Sequence, residues 1–168
     1  MPEVMLRHEI DTDVDTFWKI VFDGEFNKNL YEGVLKFPAW KLLDVKEDDA
    51  KLVRQVQVDP PVGDLPGPLK KLVGERLAYT EDGTFDKTSK RYTFKVTPST
   101  MADKTKINGE LWAEKVSDKK ILRMCRISVE VKVFMVGSMV EERILSDLRA
   151  SYDNSTSYTN QYIKENGL

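Results

Sequence analysis

The chain has 168 residues, 40% of them hydrophobic and 32% charged, with a formal net charge of −2 at pH 7. That length suits one domain able to bury about 70% of its unfolded surface, and 1–168 is read as a single unit. Lys and Arg are spread among Asp and Glu rather than clustered, which argues against a nucleic-acid partner.

Val4 to Ile10 alternates, placing Val4, Leu6, His8 and Ile10 on one face of a strand. Asp11-Thr12-Asp13 offers an N-cap to a helix carrying Val14, Phe17, Trp18, Val21 and Phe22 at helical spacing. Gly24 breaks it, and Phe26 to Gly33 reads as a second short helix. From Lys36 the period switches to two. Trp40–Val45 and Leu52–Val58 pair across a turn at Glu47-Asp48-Asp49. Asp59 to Pro68 holds four prolines, which remove donors and fix φ, so it is irregular. Leu69–Val73 then forms one helical turn. Next come a strand over Glu75–Thr80, a turn at Glu81-Asp82-Gly83-Thr84, and a strand from Arg91 to Thr97. Lys106–Val116 turns at Ser117-Asp118 into the longest strand, Ile121–Val133.

Gly137-Ser138 marks a break and a helix N-terminus, with Glu141 at capping-box spacing from Ser138. Val140, Ile144, Leu148 and Tyr152 recur at steps of four, and Ser155, Tyr158, Thr159 and Tyr162 continue the stripe. A helix from Ser138 to near Glu165 would be about 40 Å long. Its second half carries hydroxyls, as a helix over a partly polar cavity would; a terminal helix fraying into solvent gives the same pattern. Strand, two helices, six strands and a long helix, joined by hairpin-length turns, predict an α+β antiparallel sheet with its helices on one face.

Several strands carry a polar residue on an otherwise apolar face: His8, Arg54, Glu75 beside Leu77 and Tyr79, and Arg123 in line with Ile127 and Val129. Tyr92 and Phe94 form an apolar face without such an intruder. Buried charge costs several kcal/mol unless paired, so these residues form a polar cluster or face a ligand. A strand-end position or a one-residue bulge explains each case singly. Trp112 shares a strand with Ile107, Leu111 and Ala113 and cannot face inward with them without a bulge; it is placed near the cavity.

Familiar chemistry is missing. One histidine excludes a multi-histidine metal site, and the lone Cys125 excludes a disulfide framework and reads as a buried, inert thiol. No phosphate loop, nucleophile elbow or zinc-protease motif occurs, so no catalytic residue, metal or cofactor is assigned. With no spanning segment or signal peptide, a cytoplasmic protein is expected.

The element order resembles the helix-grip fold shared by START lipid-transfer domains, birch-pollen-allergen-like proteins and bacterial polyketide cyclases. The stretch Ile127-Ser128-Val129-Glu130-Val131-Lys132-Val133-Phe134-Met135-Val136-Gly137-Ser138-Met139-Val140-Glu141 is similar to the last strand and helix start of an uncharacterised bacterial START-like branch. The sterol-transferring VASt domains have a similar transition. Phe134 stands where that branch has proline and Ser138 where a second glycine is common. Asn108-Gly109-Glu110-Leu111 is similar to the preceding strand.

The resemblance implies a curved sheet of about seven strands wrapped round the terminal helix, enclosing a hydrophobic cavity. Its lining would include His8, Arg54, Glu75, Leu77, Tyr79, Tyr92, Phe94, Trp112, Arg123, Ile127, Val129, Leu148, Tyr152 and Ser155. The loop bearing Val62, Leu65 and Leu69, beside Lys70 and Lys71, would be a gate that could touch an anionic membrane surface; a rigid proline-rich connector is the other reading. The expected partner is a small hydrophobic molecule or lipid: a sterol, fatty acyl chain or phospholipid. The other readings are a cyclase- or hydrolase-like enzyme using His8, Glu75 or Tyr79, and a sensing or co-chaperone module whose partner is a protein.

Overall fold

The computed structural model describes residues 2–61, 67–73 and 77–168. Seven antiparallel strands form one sheet in the order β1-β7-β6-β5-β4-β3-β2. They are β1 (Glu3–Ile10), β2 (Ala39–Glu47), β3 (Lys51–Asp59), β4 (Tyr79–Asp86), β5 (Arg91–Pro98), β6 (Thr105–Ser117) and β7 (Lys120–Val131). Helices α1 (Val14–Val21) and α2 (Gly24–Lys28) follow β1, and a π-helical segment, Asn29–Val34, continues α2. Helix α3 (Gly67–Val73) lies between β3 and β4, and α4 (Gly137–Asn166) ends the chain.

Local chemistry explains most boundaries. The Asp13 carboxylate accepts from the Thr16 N–H at 2.8 Å and starts α1; Asp23 does the same for α2 through Phe26 N–H at 2.9 Å. Those amide bonds hold the Asp13 carboxyl below the usual range. Gly167, at φ 64°, ends α4 in the left-handed conformation that glycine adopts without steric cost.

Two sequence expectations are corrected. The turn at Glu81–Thr84 is continuous strand, and the chain reverses after Asp86 instead. The Asp86 carboxylate accepts from the Thr88 and Ser89 amides, and Lys90 takes φ 55°. Gly83 looks like a turn glycine, but it serves packing: the Tyr92 ring fills the space a Cβ there would need. Second, Ser138 does not cap α4. The helix begins from Val136 without a side-chain cap, and Glu141 reaches across to the Val131 N–H at 3.3 Å. Gly137 is required there because a Cβ would overlap the Val131 carbonyl. The β2–β3 ladder pairs as expected and carries a register shift between Leu42 and Asp44, a bulge on an edge strand.

The main core lies between the sheet and α4. Ile10, Ile121, Cys125, Ile127 and Val129 are almost wholly buried there, with Val140, Leu145 and Ile163 packed from the helix. A smaller cluster, Trp40, Val56 and Val58, sits towards the β2 edge with Tyr31, Phe37 and Tyr79 against it.

Candidate functional site

A cleft of about 590 Å³ lies between α1 and the inner face of β2, β3 and β4. Its apolar walls are Trp18 and Phe22 from the first helix, Leu52 and Phe85 from β3 and β4, and Trp40, Leu42 and Val45 from β2. Trp18, Phe22 and Phe85 form an aromatic corner, with ring centroids 4.4 Å apart for Trp18–Phe85 and 5.2 Å for Phe22–Phe85. Leu42 and Val45 are 43% and 49% exposed although they point to the inner face. The mouth is charged: Lys87 pairs with Glu47 at 2.6 Å, Lys90 pairs with Asp15 at 2.9 Å, and Lys19 stands beside them.

Arg54 is the polar group at the base. Its guanidinium lies 5.2 Å from the centroids of both Phe22 and Tyr92. Nε donates to the Tyr92 hydroxyl at 3.1 Å, Nη1 to the Val21 carbonyl at 3.3 Å, and Nη2 lies 3.5 Å from Glu81. Tyr92 in turn donates to Glu81 at 2.8 Å. Burial would depress the guanidinium, but Tyr92 and Glu81 outweigh it and hold its pKa above the ordinary value. Burial, with the nearby Glu81 carboxylate, pushes the phenols of Tyr31, Tyr79 and Tyr92 up, Tyr31 to about 12, so they remain neutral donors.

Among the described residues expected to line a cavity, only Arg54 lines this cleft. Tyr92 stands directly behind it, and Tyr79 belongs to the Trp40 cluster. Arg123 is directed to α4: it donates to Ser155 Oγ at 3.2 Å, Thr156 Oγ1 at 2.7 Å and the Tyr152 carbonyl at 3.1 Å, and stacks on the Tyr152 ring. Its partners are uncharged, and burial lowers its pKa despite contributions from Tyr152 and Cys125. His8 bonds Asp153 of the same helix at 2.7 Å. Ile127 and Val129 are core, while Leu148 and Tyr152 pack against it.

The hydroxyl stripe on α4 closes on itself. Ser155, Thr156 and Thr159 donate to carbonyls one turn back, and Tyr158 and Tyr162 pack on Phe26. Cys125 donates to the Tyr152 hydroxyl at 3.3 Å, and burial pushes its thiol up to about 11. Phe94 lies over Gly109, where a Cβ would overlap it.

Trp112 is corrected. Gly109, Leu111 and Ala113 follow the inner alternation of β6, so Trp112 faces out. Arg91 and Arg126 stack on it, and Glu110 bridges the two arginines. Leu69 is also corrected: it is buried in the core on α3 rather than exposed at a loop tip. Leu77 is half-buried just before β4. Val62, Leu65 and Glu75 lie outside the described residues.

Sequence reasoning missed Glu81, because Glu-Asp-Gly-Thr reads as a turn, and it missed the wall on α1. Trp18 and Phe22 were visible, but only as the apolar stripe of a core helix. Among the described residues no group of three or more metal-ligating side chains forms, and no helix is long and apolar enough to cross a membrane.

Residues 5–163 match the family described as "Protein of unknown function (DUF2505)". No curated protein matches the sequence. Among solved structures, the Zhui aromatase/cyclase from Streptomyces sp. R1128 aligns with TM-score 0.67 at 10% identity, over 99% of this chain and 96% of that one. Norcoclaurine synthase from Thalictrum flavum, a point mutant bound to a transition-state analogue, gives 0.63 at 12% identity, over 96% and 95%. A START superfamily protein from Mycobacterium smegmatis gives 0.56 at 15%, over 93% and 97%. These likenesses, with the seven-stranded sheet and the long terminal helix, identify a START-like helix-grip fold.

Proposed function

The chain belongs to the DUF2505 family of proteins of unknown function, and from that premise we propose that it is a single ligand-binding domain for a small hydrophobic, lipid-like molecule. The observation that carries this reading is the aromatic-walled cleft of about 590 Å³ with one polar group at its base. Ligand sites of about 300–1,000 Å³ are typically apolar with a few placed polar groups. The walls supply non-directional burial, at about 25 cal/mol per Å² of apolar surface removed from water. A sterol, fatty acyl chain or phospholipid acyl chain meets that requirement, and transient contact with a membrane would exchange it. The protein would act as a cytoplasmic carrier or transfer protein.

Arg54 is the group that meets the polar end of the guest. Because Glu81 already offsets its charge, a hydroxyl or carbonyl is a better match than a carboxylate, which would have to displace Glu81. Arg123, committed to α4, has no part in this role.

The experiment is organic extraction of the purified protein with mass spectrometry of the extract, beside native mass spectrometry of the intact chain. A stoichiometric apolar molecule is expected. Leu42→Glu and Val45→Glu place charge on the exposed wall, should change stability by less than about 0.5 kcal/mol, and should weaken uptake of a fluorescent acyl or sterol probe about tenfold. An empty protein that takes up neither probe would overturn the carrier reading.

A cyclase- or hydrolase-like activity is the second reading, favoured by the Glu81–Tyr92–Arg54 hydrogen-bonded set beside the cleft. In it Glu81, not His8, would handle protons, since His8 is bonded to α4 away from the cleft. Turnover of an aromatic polyketide-type substrate, abolished in Glu81→Gln, would establish it.

A further inference from the structure

Donors and acceptors in the cleft do not balance. Trp18 lines it from the helix side and Trp40 from the sheet side. They are only 5% and 6% exposed, so neither indole relies on bulk water. The Trp18 indole N–H is buried without a partner. Hydrocarbon surrounds it: the rings of Phe17, Phe22 and Phe85 lie 5.1, 5.8 and 4.4 Å away between centroids. An N–H against a ring is a second-order contact. Trp40 donates from its backbone N–H to Glu32 at 3.1 Å, but its indole N–H meets no acceptor among the described residues. Trp112, on the outer face, differs: its indole N–H donates to Glu114 at 3.3 Å.

The other polar side chains of the lining sort the same way. Arg54 carries donors and no acceptor, as do Lys19, Lys87 and Lys90. The carboxylates of the lining are Asp15 and Glu47, both at the mouth and each paired with a lysine. Glu81 stands behind Arg54, where it accepts from Tyr92. Below the mouth, the lining side chains therefore offer N–H groups and no acceptor. Buried donors are nearly always bonded in folded proteins, because leaving one unmade is costly.

We propose that the cleft selects a carbonyl-bearing guest, a ketone or ester on an apolar body, with Trp18 and Trp40 as specificity-determining donors beside Arg54. The inference rests on the carrier reading and narrows its guest from a hydroxyl or carbonyl to a carbonyl. A carbonyl oxygen has two lone pairs and no proton, so it accepts N–H groups and adds no donor of its own. An alcohol also accepts, but it buries an O–H that finds no acceptor in the lining. Because the Trp18 N–H is sealed by its ring neighbours, the guest reaches it by parting the Phe22–Phe85 corner.

The test is displacement of a fluorescent acyl probe from the full chain by 2-tridecanone and 7-tridecanone, each against the alcohol of the same skeleton, 2-tridecanol or 7-tridecanol. At least one ketone should bind about tenfold more tightly than its alcohol. Trp18→Phe with Trp40→Phe keeps the wall apolar and removes both donors. It should cut that ratio to about twofold, the remainder coming from Arg54, while alcohol affinity changes little. Should the double variant not fold, the indole N–H resonances of the wild type decide. A ketone should shift those of Trp18 and Trp40 more than its alcohol does and leave that of Trp112 in place. Equal affinity for ketone and alcohol, a ratio unchanged in the double variant, or indole resonances that respond equally to both would overturn the proposal. So would an acyl probe that binds but that no ketone displaces, and in each of these cases the carrier reading survives. A chain that takes up neither probe nor ketone overturns both.

Discussion

Two buried arginines divide the molecule. Arg123, on β7 under α4, bonds hydroxyls and a carbonyl and lies against a ring, and burial pulls its pKa down. Arg54, on β3 near the β2 edge, has a carboxylate and a phenol, which raise its pKa against the same burial. The first sits where the long helix closes on solid core, with Nη1 and Nη2 holding the helix and Nε buried without a partner. The second sits where the helix does not reach and a cleft opens instead. In this fold an inward cation is therefore not evidence of a ligand; what matters is whether open volume lies beside it.

The comparison breaks most directly with the two alanine variants. Arg123→Ala should lose about 3 kcal/mol of stability in urea denaturation, since several charge-assisted hydrogen bonds disappear together, and leave probe uptake intact. Arg54→Ala should lose a similar amount, because the half-buried Glu81 carboxylate keeps no cation, yet also weaken uptake. Equal uptake in both variants would show that the cleft's polar base is inert.

Gly83→Ala tests the link between β4 and that base. The added methyl must push aside the Tyr92 ring, which is only 2% exposed. A loss of about 2 kcal/mol is expected, together with weaker uptake as the Arg54–Tyr92–Glu81 set shifts. An ordinary surface effect on stability would mean that Tyr92 has room to move.

The α4 half has a pH signature through Cys125. Its folded pKa, about 11, lies above the ordinary thiol value of 9.0. The stabilisation from keeping the thiol neutral is complete below pH 9 and is lost as pH rises through 11, because only the unfolded chain releases the proton in between. Cys125→Ser should flatten the fall in stability across that window, and a disulfide reagent at pH 8 should label the thiol only on unfolding. The smallest effect is expected outside both halves: Trp112→Ala should cost about 1 kcal/mol, from the arginine stacking on the outer face, with no change in uptake.

Periodicity was enough to predict seven strands, two short helices and the long terminal helix, because those elements bury one face against one core. It placed β1, β3, β5 and β7 with the right residues inward. It failed at Gly83, where a glycine that accommodates an aromatic ring is indistinguishable in sequence from one that makes a turn. It failed at Trp112, where Arg91 and Arg126 give an outer-face tryptophan partners from two neighbouring strands. The candidate site was less legible for a geometric reason. Its walls come from α1, β2, β3 and β4, and each reads by itself as an ordinary amphipathic element. Only the curvature of the sheet decides that Leu42 and Val45 face open volume while Ile127 and Val129 face a helix.

The bulge at Leu42 and Asp44 has one more consequence. An apolar cleft wall on an edge strand sets unpaired backbone groups beside exposed leucine and valine, the combination that templates strand-to-strand aggregation. The extra residue bends β2 and interrupts the even spacing of its outer ladder. It lets the chain keep an apolar cleft wall in water without offering a straight edge for another strand to extend. Deleting Leu43 would straighten that edge, and its cost would show as fibrils or precipitate in a chain that still folds.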